Sequence, residues 1–352
     1  GCTALHYLCK YNPSFDIINL LLEKGANINE IDAYKNTALN YLFKFKQTTL
    51  DHEEFINIIN LFLIKGYNIN TKNSYNSTIL NLTCLYNPSV KLISFLLEKQ
   101  IQINNTNIYG ESALHNYCQR FSNKICHVKS IKIVSLLINK GIFINIREKY
   151  GMTALHCLCK NNPPSELIDL LLNNGALIND RCNLGYNALQ YVCKYNTRRI
   201  ANSNESYKLI NYLLKMGANI NNKDRYDNTI LHCICEFNAS EYLINFILKK
   251  EVLINKINRY SQTILHLICG NSKITKKPIK FMKLISLLFE NGIFINKKDH
   301  IQKSAFDLIQ TNKSKIVFKK SLIIFKQKIF NILKIETNLS YDICYLICDL
   351  II

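Results

Sequence analysis

Short apolar stretches alternate with polar turns along the whole chain, and within each stretch the apolar residues recur at helical spacing. A representative stretch contains Ile17, Ile18, Leu20, Leu21 and Leu22, followed by Gly25. Apolar residues three and four positions apart share one face of an α-helix, and a glycine after the last turn can adopt the left-handed conformation that ends a helix. The pattern therefore predicts a series of short amphipathic helices. Equivalent glycines are Gly66, Gly141, Gly175, Gly217 and Gly292, whereas Gln100 and Glu251 occupy this place in two copies and are expected to strain or fray those helix ends.

The helical pattern is part of a longer repeat that begins with a motif such as Thr3-Ala4-Leu5-His6. Its nine copies begin at Thr3, Thr37, Thr78, Ser112, Thr153, Asn187, Thr229, Thr263 and Ser304. Successive spacings are 34, 41, 34, 41, 34, 42, 34 and 41 residues, so the duplicated unit is a pair of about 75 residues, present four times before a partial last copy. The long members carry extra polar residues between their two helical stretches. Repetition at such a period indicates stacked supersecondary units.

The motif, the two helical stretches, the glycine and the following Ile-Asn together resemble the ankyrin repeat. The resemblance covers residues 1–312, which would contain about nine repeats. It implies an all-α solenoid of helix-turn-helix units joined by hairpin loops. The family's glycine at the hairpin tip is present at Gly110, Gly151 and Gly185. Lys35, Asn76, Asp227, Ser261 and Gln302 replace it elsewhere, although side chains disfavour the positive φ that glycine adopts at such a tip.

An asparagine occurs in all eight links between repeats, four residues or so after the glycine position. These residues are Asn29, Asn70, Asn104, Asn145, Asn179, Asn221, Asn255 and Asn296. Asparagine side chains commonly bond the backbone of their own turn. We therefore expect a local role for them.

Cysteine and histidine also recur at fixed repeat positions. The cysteines are Cys9, Cys84, Cys118, Cys159, Cys193, Cys235 and Cys269, with Phe43 in the second copy; the histidines are His6, His115, His156, His232 and His266. A zinc site needs four ligands close together, whereas residues that recur once per repeat lie one repeat apart. A packing role is therefore favoured over a zinc site for these residues. The family resemblance implies that the histidines bond backbone between repeats. No catalytic group, metal or cofactor is predicted, and many unpaired thiols indicate a reducing compartment, the cytoplasm or the nucleus.

Charge adds a weaker indication. The chain has 44 Lys and Arg against 25 Asp and Glu, a formal net charge of +19, which would suit acidic partners or nucleic acid. Asn, Ile and Lys are all over-used, as expected from an AT-rich genome, and no basic recognition motif accompanies the charge, so nucleic-acid binding is the less favoured prediction. The sequence contains no run of 18 apolar residues, the length that a transmembrane helix needs. The sequence begins at Gly1 in the middle of a repeat, and we expect it to be a piece of a longer protein.

The resemblance implies that other proteins bind to hairpin tips and first helices, so free side chains there are the candidate site. A tyrosine precedes the motif by three residues in six copies: Tyr34, Tyr75, Tyr109, Tyr150, Tyr226 and Tyr260; Leu184 and Ile301 take this place in two others. Tyrosine is enriched at binding hot spots; the alternative is that these rings only pack beside the next hairpin. First-helix aromatics could extend the surface: Tyr7, Tyr11, Tyr41, Phe45, Tyr86, Tyr191, Tyr195 and Phe237.

The last forty residues depart from the repeat. Residues 313–334 carry seven lysines among apolar residues at helical spacing, which predicts an amphipathic helix that caps the repeats or, alternatively, lies on a membrane surface. The segment that follows resembles the opening of an F-box, as in the PRANC segment of poxvirus ankyrin proteins, through Leu339, Ser340, Asp342, Ile343 and Ile347. That resemblance implies a substrate adaptor that holds a Skp1-like adaptor of a Cullin-RING ubiquitin ligase. An ordinary N-capped amphipathic helix fits the same residues.

Overall fold

The fold was analysed in a computed structural model, which describes residues 1–44, 52–86, 88–121, 127–196, 203–237, 240–250 and 252–337. The chain divides into two compact units, Gly1–Asn183 and Leu184–Ile352. Across the described ranges the secondary structure is helical, and β-pairing is limited to isolated bridges of Ile31 with Thr37 and Lys298 with Ser304. The prediction of an all-α chain of repeated helix pairs is confirmed.

Each repeat of the first unit contributes a first helix, a turn and a second helix. The helices are α1 (Ala4–Tyr11), α2 (Phe15–Glu23), α3 (Ala38–Lys44), α4 (His52–Ile64), α5 (Ile79–Tyr86), α6 (Val90–Leu97), α7 (Ala113–Arg120), α8 (His127–Asn139), α9 (Ala154–Cys159) and α10 (Ser165–Asn173). First helices pack on first helices, α1 on α3, α3 on α5, α5 on α7 and α7 on α9, and second helices pack on second helices in the same order. The leucine of each motif lies in the core between the two rows, as Leu39 and Leu114 do.

The second unit repeats this plan. Its helices are α11 (Ala188–Tyr191), continued by a π-turn over Val192–Asn196, α12 (Ser203–Lys215), α13 (Ile230–Phe237), α14 (Glu241–Leu248), α15 (Ile264–Gly270), α16 (Ser272–Thr275), α17 (Pro278–Glu290), a 3₁₀ turn at Phe306–Leu308, and α18 (Asn312–Thr337). Here α13 packs on α15, and α12, α14 and α17 pack in succession. The two rows of helices are therefore present in both units.

Second helices alternate in length along the chain. They have 9, 13, 8 and 13 residues in α2, α4, α6 and α8, and 9, 13, 8 and 13 residues in α10, α12, α14 and α17. The long helices belong to the repeats with extra polar residues, which begin these helices with His52, His127, Ser203 and Pro278. The insertions thus add about one turn to the start of every other second helix. This alternation agrees with a duplicated unit of two repeats.

Glycine ends the second helices as predicted. Gly25, Gly66, Gly141, Gly175, Gly217 and Gly292 all have φ between 75° and 90°. Gln100 adopts the same left-handed conformation with φ of 52°, so the predicted strain is present there, because a side chain in this region costs roughly 1–2 kcal/mol. Glu251 lies outside the described residues.

The long C-terminal helix α18 packs along α17. The Phe289 ring lies 5.5 Å from the rings of Phe318 and Phe325, and Lys328 Nζ donates to Glu290 at 2.9 Å. Ile323 and Ile324 are exposed on α18. The division at residue 312 and the capping role of residues 313–352 remain predictions. Within the described part of the chain, no helix is both long enough and apolar enough to cross a membrane.

Candidate functional site

Seven of the eight hairpin tips, all except the one at Leu184, are shaped by an acceptor side chain two residues before the tip tyrosine position. Asp32 Oδ1 accepts the N–H groups of Tyr34 and Asn36, both at 2.8 Å. Burial alone would raise the pKa of Asp32, but hydrogen bonds from Tyr41 and the Asn36 backbone outweigh it and lower the pKa. The equivalent acceptors are Asn73, Asn107, Glu148, Asp224, Asn258 and Asp299. These residues were not singled out from the sequence, although their polar character at a fixed position was a usable signal.

All tips share one backbone geometry, whether or not they contain glycine. Gly110, Gly151 and Gly185 have φ of 73–79°, and the five replacements, Lys35, Asn76, Asp227, Ser261 and Gln302, have φ of 54–62°. The five replacements therefore adopt the same left-handed conformation as the three glycines. The side-chain acceptor described above stabilises the turn and offsets the cost of a left-handed residue that is not glycine.

A ladder of main-chain hydrogen bonds connects successive tips within each unit. In the first unit the carbonyls of Tyr34, Tyr75, Tyr109 and Tyr150 accept N–H groups of the next tip at 2.7–2.9 Å. In the second unit the carbonyls of Leu184, Tyr226 and Tyr260 do the same at 2.8–3.0 Å. Each accepted N–H belongs to the residue that precedes the next tip position. The ladder that fixes the order and spacing of the tip residues therefore consists of backbone atoms, whatever side chains the tips carry.

Gly151 is the tip where a side chain would disturb this ladder. Asn183 donates its N–H to Tyr150 O and its Nδ2 to Lys149 O, at 2.9 and 3.1 Å. A β-carbon at position 151 would lie 2.2 Å from Asn183 Oδ1 and 2.8 Å from its backbone nitrogen. At Gly141, which has φ of 82°, a β-carbon would meet nothing within 4 Å.

We therefore expect Gly151→Ala to lower the free energy of unfolding by about 2–4 kcal/mol, through the left-handed backbone and the clash together. Gly141→Ala is the control, because it carries only the backbone cost of about 1 kcal/mol. Urea unfolding followed by circular dichroism measures both variants. Equal losses for the two would show that the contact with Asn183 does not constrain the tip.

The tip tyrosines leave much of their side chains in solvent. Tyr34 and Tyr150 are 63% exposed, and Tyr75, Tyr109 and Tyr260 are 43–44% exposed, whereas Tyr226 is half-buried. In the second unit the Tyr226 and Tyr260 rings stack, with centroids 6.4 Å apart and planes inclined by 20°. Packing between neighbouring hairpins thus accounts for part of the area of these two rings. The partner-binding role of the six tyrosines remains a prediction.

First-helix aromatics divide into exposed and buried residues. Tyr7 and Tyr11 are 54% and 63% exposed and stack on each other at 6.3 Å. Tyr191 is buried between Tyr186 and Tyr195, so it does not extend the surface. The remaining candidates that the structure describes are half-buried: Tyr41, Tyr86, Tyr195 and Phe237. Phe45 lies outside the described residues.

The repeated histidines form bonds within and between repeats. His6 Nδ1 accepts the N–H of Thr3 at 3.1 Å, so its Nε2 carries the proton and donates to Asn36 O at 3.0 Å. His115, His156, His232 and His266 bond to Met152 O, Asp180 O, Gln262 O and Lys303 O in the same way. Burial lowers the pKa of His115, His232 and His266, which keeps them neutral. The predicted structural role is confirmed.

The repeated cysteines are core residues. All seven are at most 1% exposed, and Phe43 fills the same position in the second copy. Burial raises the pKa of the Cys9 and Cys84 thiols to about 12, so they remain protonated at neutral pH and are poor nucleophiles. The packing role predicted for this column is confirmed.

Five of the eight link asparagines bond the next repeat, namely Asn70, Asn104, Asn145, Asn221 and Asn255, so the expectation of a local role was wrong for them. Asn104 Nδ2 donates to Gly141 O at 3.0 Å, and its Oδ1 accepts the N–H of Phe143 at 2.7 Å. Asn145 and Asn255 make the corresponding pair of bonds to the helix ends at Gly175 and Gly292. The carbonyls at the end of a helix lack intrahelical partners. Here the preceding repeat supplies a donor, which a reading of the local turn could not reveal.

The F-box-like residues Leu339, Ser340, Asp342, Ile343 and Ile347 lie outside the described residues. Neither the F-box-like resemblance nor binding of a Skp1-like adaptor gains support from the described residues or from the family matches. Both remain predictions from the sequence.

Comparison with known proteins identifies the repeats. A model of three ankyrin repeat copies matches residues 48–148, 123–224 and 199–299, and a model of a single ankyrin repeat matches residues 1–33. The crystal structure of the ankyrin repeat domain of Bcl-3, described as a unique member of the IκB protein family, is similar in fold, with a TM-score of 0.50 and 17% sequence identity over 69% of this chain and 98% of that one. No curated protein sequence matches this chain significantly. The family matches cover well over half of the chain, which therefore belongs to the ankyrin repeat family, whose repeats are in general non-catalytic protein-binding scaffolds.

Proposed function

We propose that this chain is a non-catalytic scaffold that binds partner proteins along the hairpin tips and adjoining first helices of its repeats. The observation that carries the proposal is the column of exposed tip tyrosines, each connected to the next tip through its backbone carbonyl. A surface that is already ordered loses little conformational entropy when it binds. Tyrosine adds a large, rigid contact area with a hydroxyl that can form hydrogen bonds.

The first unit offers a second group of aromatic residues beside its tips. Tyr7 and Tyr11 are exposed and stacked, and Lys10 Nζ lies 4.6 Å from the centroid of the Tyr11 ring. Tyr41 OH donates to Asp32 Oδ2 at 2.6 Å, which connects a first helix to a tip. Aromatic side chains are enriched at protein interfaces relative to the rest of the surface. These residues support binding at the tips and first helices rather than at the second helices.

The test places a photo-crosslinking amino acid at Tyr34 or Tyr150, with Tyr242 as the control position. Tyr242 is a comparably exposed tyrosine, 53% exposed, but it lies on the second helix α14. We expect one set of proteins to crosslink at both tip positions and not at Tyr242. With a partner so identified, Tyr150→Ala is expected to weaken binding about thirtyfold, as for an interface hot spot, without lowering thermal stability.

Crosslinking of the same proteins from Tyr242 as from the tips would contradict the proposed surface. Unchanged affinity of Tyr150→Ala and Tyr34→Ala for the crosslinked partner would contradict the role of the tyrosines. A ubiquitin-ligase adaptor role through the C-terminal tail is a separate prediction that rests on the sequence resemblance alone.

A further inference from the structure

The positive charge of the chain is concentrated in its second unit. Residues 184–352 contain 26 Lys and Arg against 12 Asp and Glu, a net charge of +14, whereas residues 1–183 contain 18 against 13, a net charge of +5. Both halves share the same Asn-rich and Ile-rich composition, so a general bias toward lysine does not account for the difference. The second unit therefore has a charge that favours an acidic ligand.

Part of this charge lies at the hairpin tips. The residue before the tip position is Arg225, Arg259 and His300 in three tips of the second unit, and all three side chains are exposed. The corresponding residues of the first unit are Ala33, Ser74, Ile108 and Lys149. The N–H groups of Arg225, Arg259 and His300 donate to the main-chain ladder at 2.8–3.0 Å. The side chains therefore start from backbone positions that the ladder fixes.

Two of these side chains, Arg225 and His300, lie against the tip tyrosines. Arg225 Cζ is 4.8 Å from the centroid of the Tyr226 ring, and the His300 ring is 5.5 Å from the Tyr260 ring. Because the Tyr226 and Tyr260 rings also stack, Arg225, the two rings and His300 form one connected arrangement at the tips. Stacking on a ring holds the planar guanidinium in place while leaving its N–H edge available to a carboxylate.

The carboxylates at these tips are engaged elsewhere. Asp224 and Asp299 are 3% exposed and accept backbone N–H groups of their own turns. Asp227 lies 3.7 Å from Lys223 Nζ. Among the described residues, neither Arg225 nor Arg259 forms an ion pair. The guanidinium groups therefore remain available for carboxylates of a partner.

A pocket of about 400 Å³ lies beside the same tips. Its lining includes the two stacked tyrosines together with Tyr186, Lys194, Phe237 and Leu267. Lys194 Nζ is 4.6 Å from the centroid of the Tyr186 ring and 5.5 Å from that of Phe237. Glu236 also contributes to the lining, so carboxylates of a ligand are better placed at the tips than inside the pocket. The volume and the rings suit one large apolar side chain.

We infer that the second unit binds an extended acidic segment of a partner protein, with its carboxylates on Arg225 and Arg259 and one aromatic side chain in the pocket beside them. This inference rests on the proposed protein-binding function and names the chemistry of the partner. Single-stranded nucleic acid binds by stacking bases on open aromatic faces. Here the tip rings already face each other and are contacted by Arg225 and His300, which favours a polypeptide ligand.

The experiment measures fluorescence anisotropy of labelled twelve-residue peptides with the full chain. One peptide alternates Glu with Tyr, a second alternates Gln with Tyr, and a labelled twelve-nucleotide oligothymidylate is the third probe. We expect the Glu-Tyr peptide to bind about tenfold or more tightly than the Gln-Tyr peptide, with an affinity that falls as salt rises. Arg225→Gln combined with Arg259→Gln is expected to remove about tenfold or more of that affinity.

Lys249→Gln combined with Lys250→Gln is the matched control, because it removes the same two charges from exposed residues at the end of α14. Its effect is expected to be under about twofold, because these lysines follow a second helix rather than a hairpin tip and isolated exposed charges contribute little. Equal losses in the two double variants, absence of Glu-Tyr binding at low salt, or tighter binding of oligothymidylate would each overturn the inference. Preference for the Gln-Tyr peptide, with loss on Tyr260→Ala, would overturn the acidic specificity and leave the proposed protein-binding function standing.

Discussion

Replacing Leu155 with alanine is expected to lower the free energy of unfolding by about 2–5 kcal/mol, because it removes a buried leucine and leaves a cavity. Leu155 is 1% exposed on α9, a helix that packs against α7 and α10. The loss therefore affects the neighbouring repeat as well as its own. In repeat proteins, stability is a sum of repeat terms and nearest-neighbour interface terms, so a central position is among the most sensitive.

The matched control is Leu177→Ala, because Leu177 is 58% exposed in the link that follows α10. Its effect is expected to stay within about 0.5 kcal/mol, as for most surface substitutions. Urea denaturation of both variants, followed by circular dichroism, measures the difference. A loss below 1 kcal/mol for Leu155→Ala would contradict the assignment of the motif leucine to the core.

Replacing His115 with alanine is expected to cost about 3 kcal/mol, whereas replacing it with glutamine is expected to cost about 1 kcal/mol or less. His115 is fully buried, its Nδ1 accepts the N–H of Ser112 at 3.3 Å, and its Nε2 donates to Met152 O at 3.0 Å. Alanine leaves the buried Ser112 N–H without this acceptor and removes the bond to the next repeat. Chemical denaturation midpoints measure both variants.

One repeat of this chain already has glutamine at the histidine position. Gln190 takes the histidine position of its repeat, where its Oε1 accepts the N–H of Asn187 at 3.2 Å and its Nε2 donates to Asn228 O at 3.2 Å. Asparagine at this position makes the second bond less well: the buried Asn40 Nδ2 has no hydrogen-bond partner, and Asn81 Nδ2 donates to Glu111 O at 3.4 Å. Equal losses for His115→Ala and His115→Gln would contradict the two-bond role.

The same histidines give stability a defined pH dependence. Burial lowers the pKa of His115, His232 and His266 in the folded chain, so below about pH 6.5 the unfolded chain binds more protons than the folded one. The contribution of the neutral histidines to the free energy of unfolding is therefore complete above that pH, and it is lost as the pH falls toward their pKa values in the folded chain. We expect the urea concentration at the unfolding midpoint to decrease as the pH is lowered from 7.5 to 5. The decrease is expected to be smaller when all three histidines are replaced with glutamine.

Position within the repeat made much of this structure predictable from the sequence. Leucine, cysteine and histidine recur at the same places, and each position has one chemical requirement: a core apolar side chain, a fully buried apolar side chain, or a side chain that both accepts and donates a hydrogen bond. The helix-ending glycines were predictable for the same reason, since a positive φ favours glycine at Gly25 and its equivalents. Repetition supplied several independent observations of each requirement.

Contacts that cross from one repeat to the next were harder to predict. The link asparagine contacts a helix end thirty or more residues ahead, as Asn145 does with Gly175, and nothing in its own turn specifies that partner. The tip acceptor varies between Asp32, Asn73 and Glu148, so it does not stand out as one residue type. The burial of Tyr191 depends on two neighbouring tyrosines. Such features depend on three-dimensional placement, which periodicity does not determine.

The main-chain ladder between the hairpin tips has a consequence for how binding preference can change over time. The bonds from Tyr34 O, Tyr75 O and Tyr109 O to the following tips use only backbone atoms. Substitutions at the outward-facing tip positions can therefore exchange one recognition chemistry for another without altering the framework that displays them. A lineage could acquire new partners by a few such exchanges, while the residues that fold the chain stay as they are.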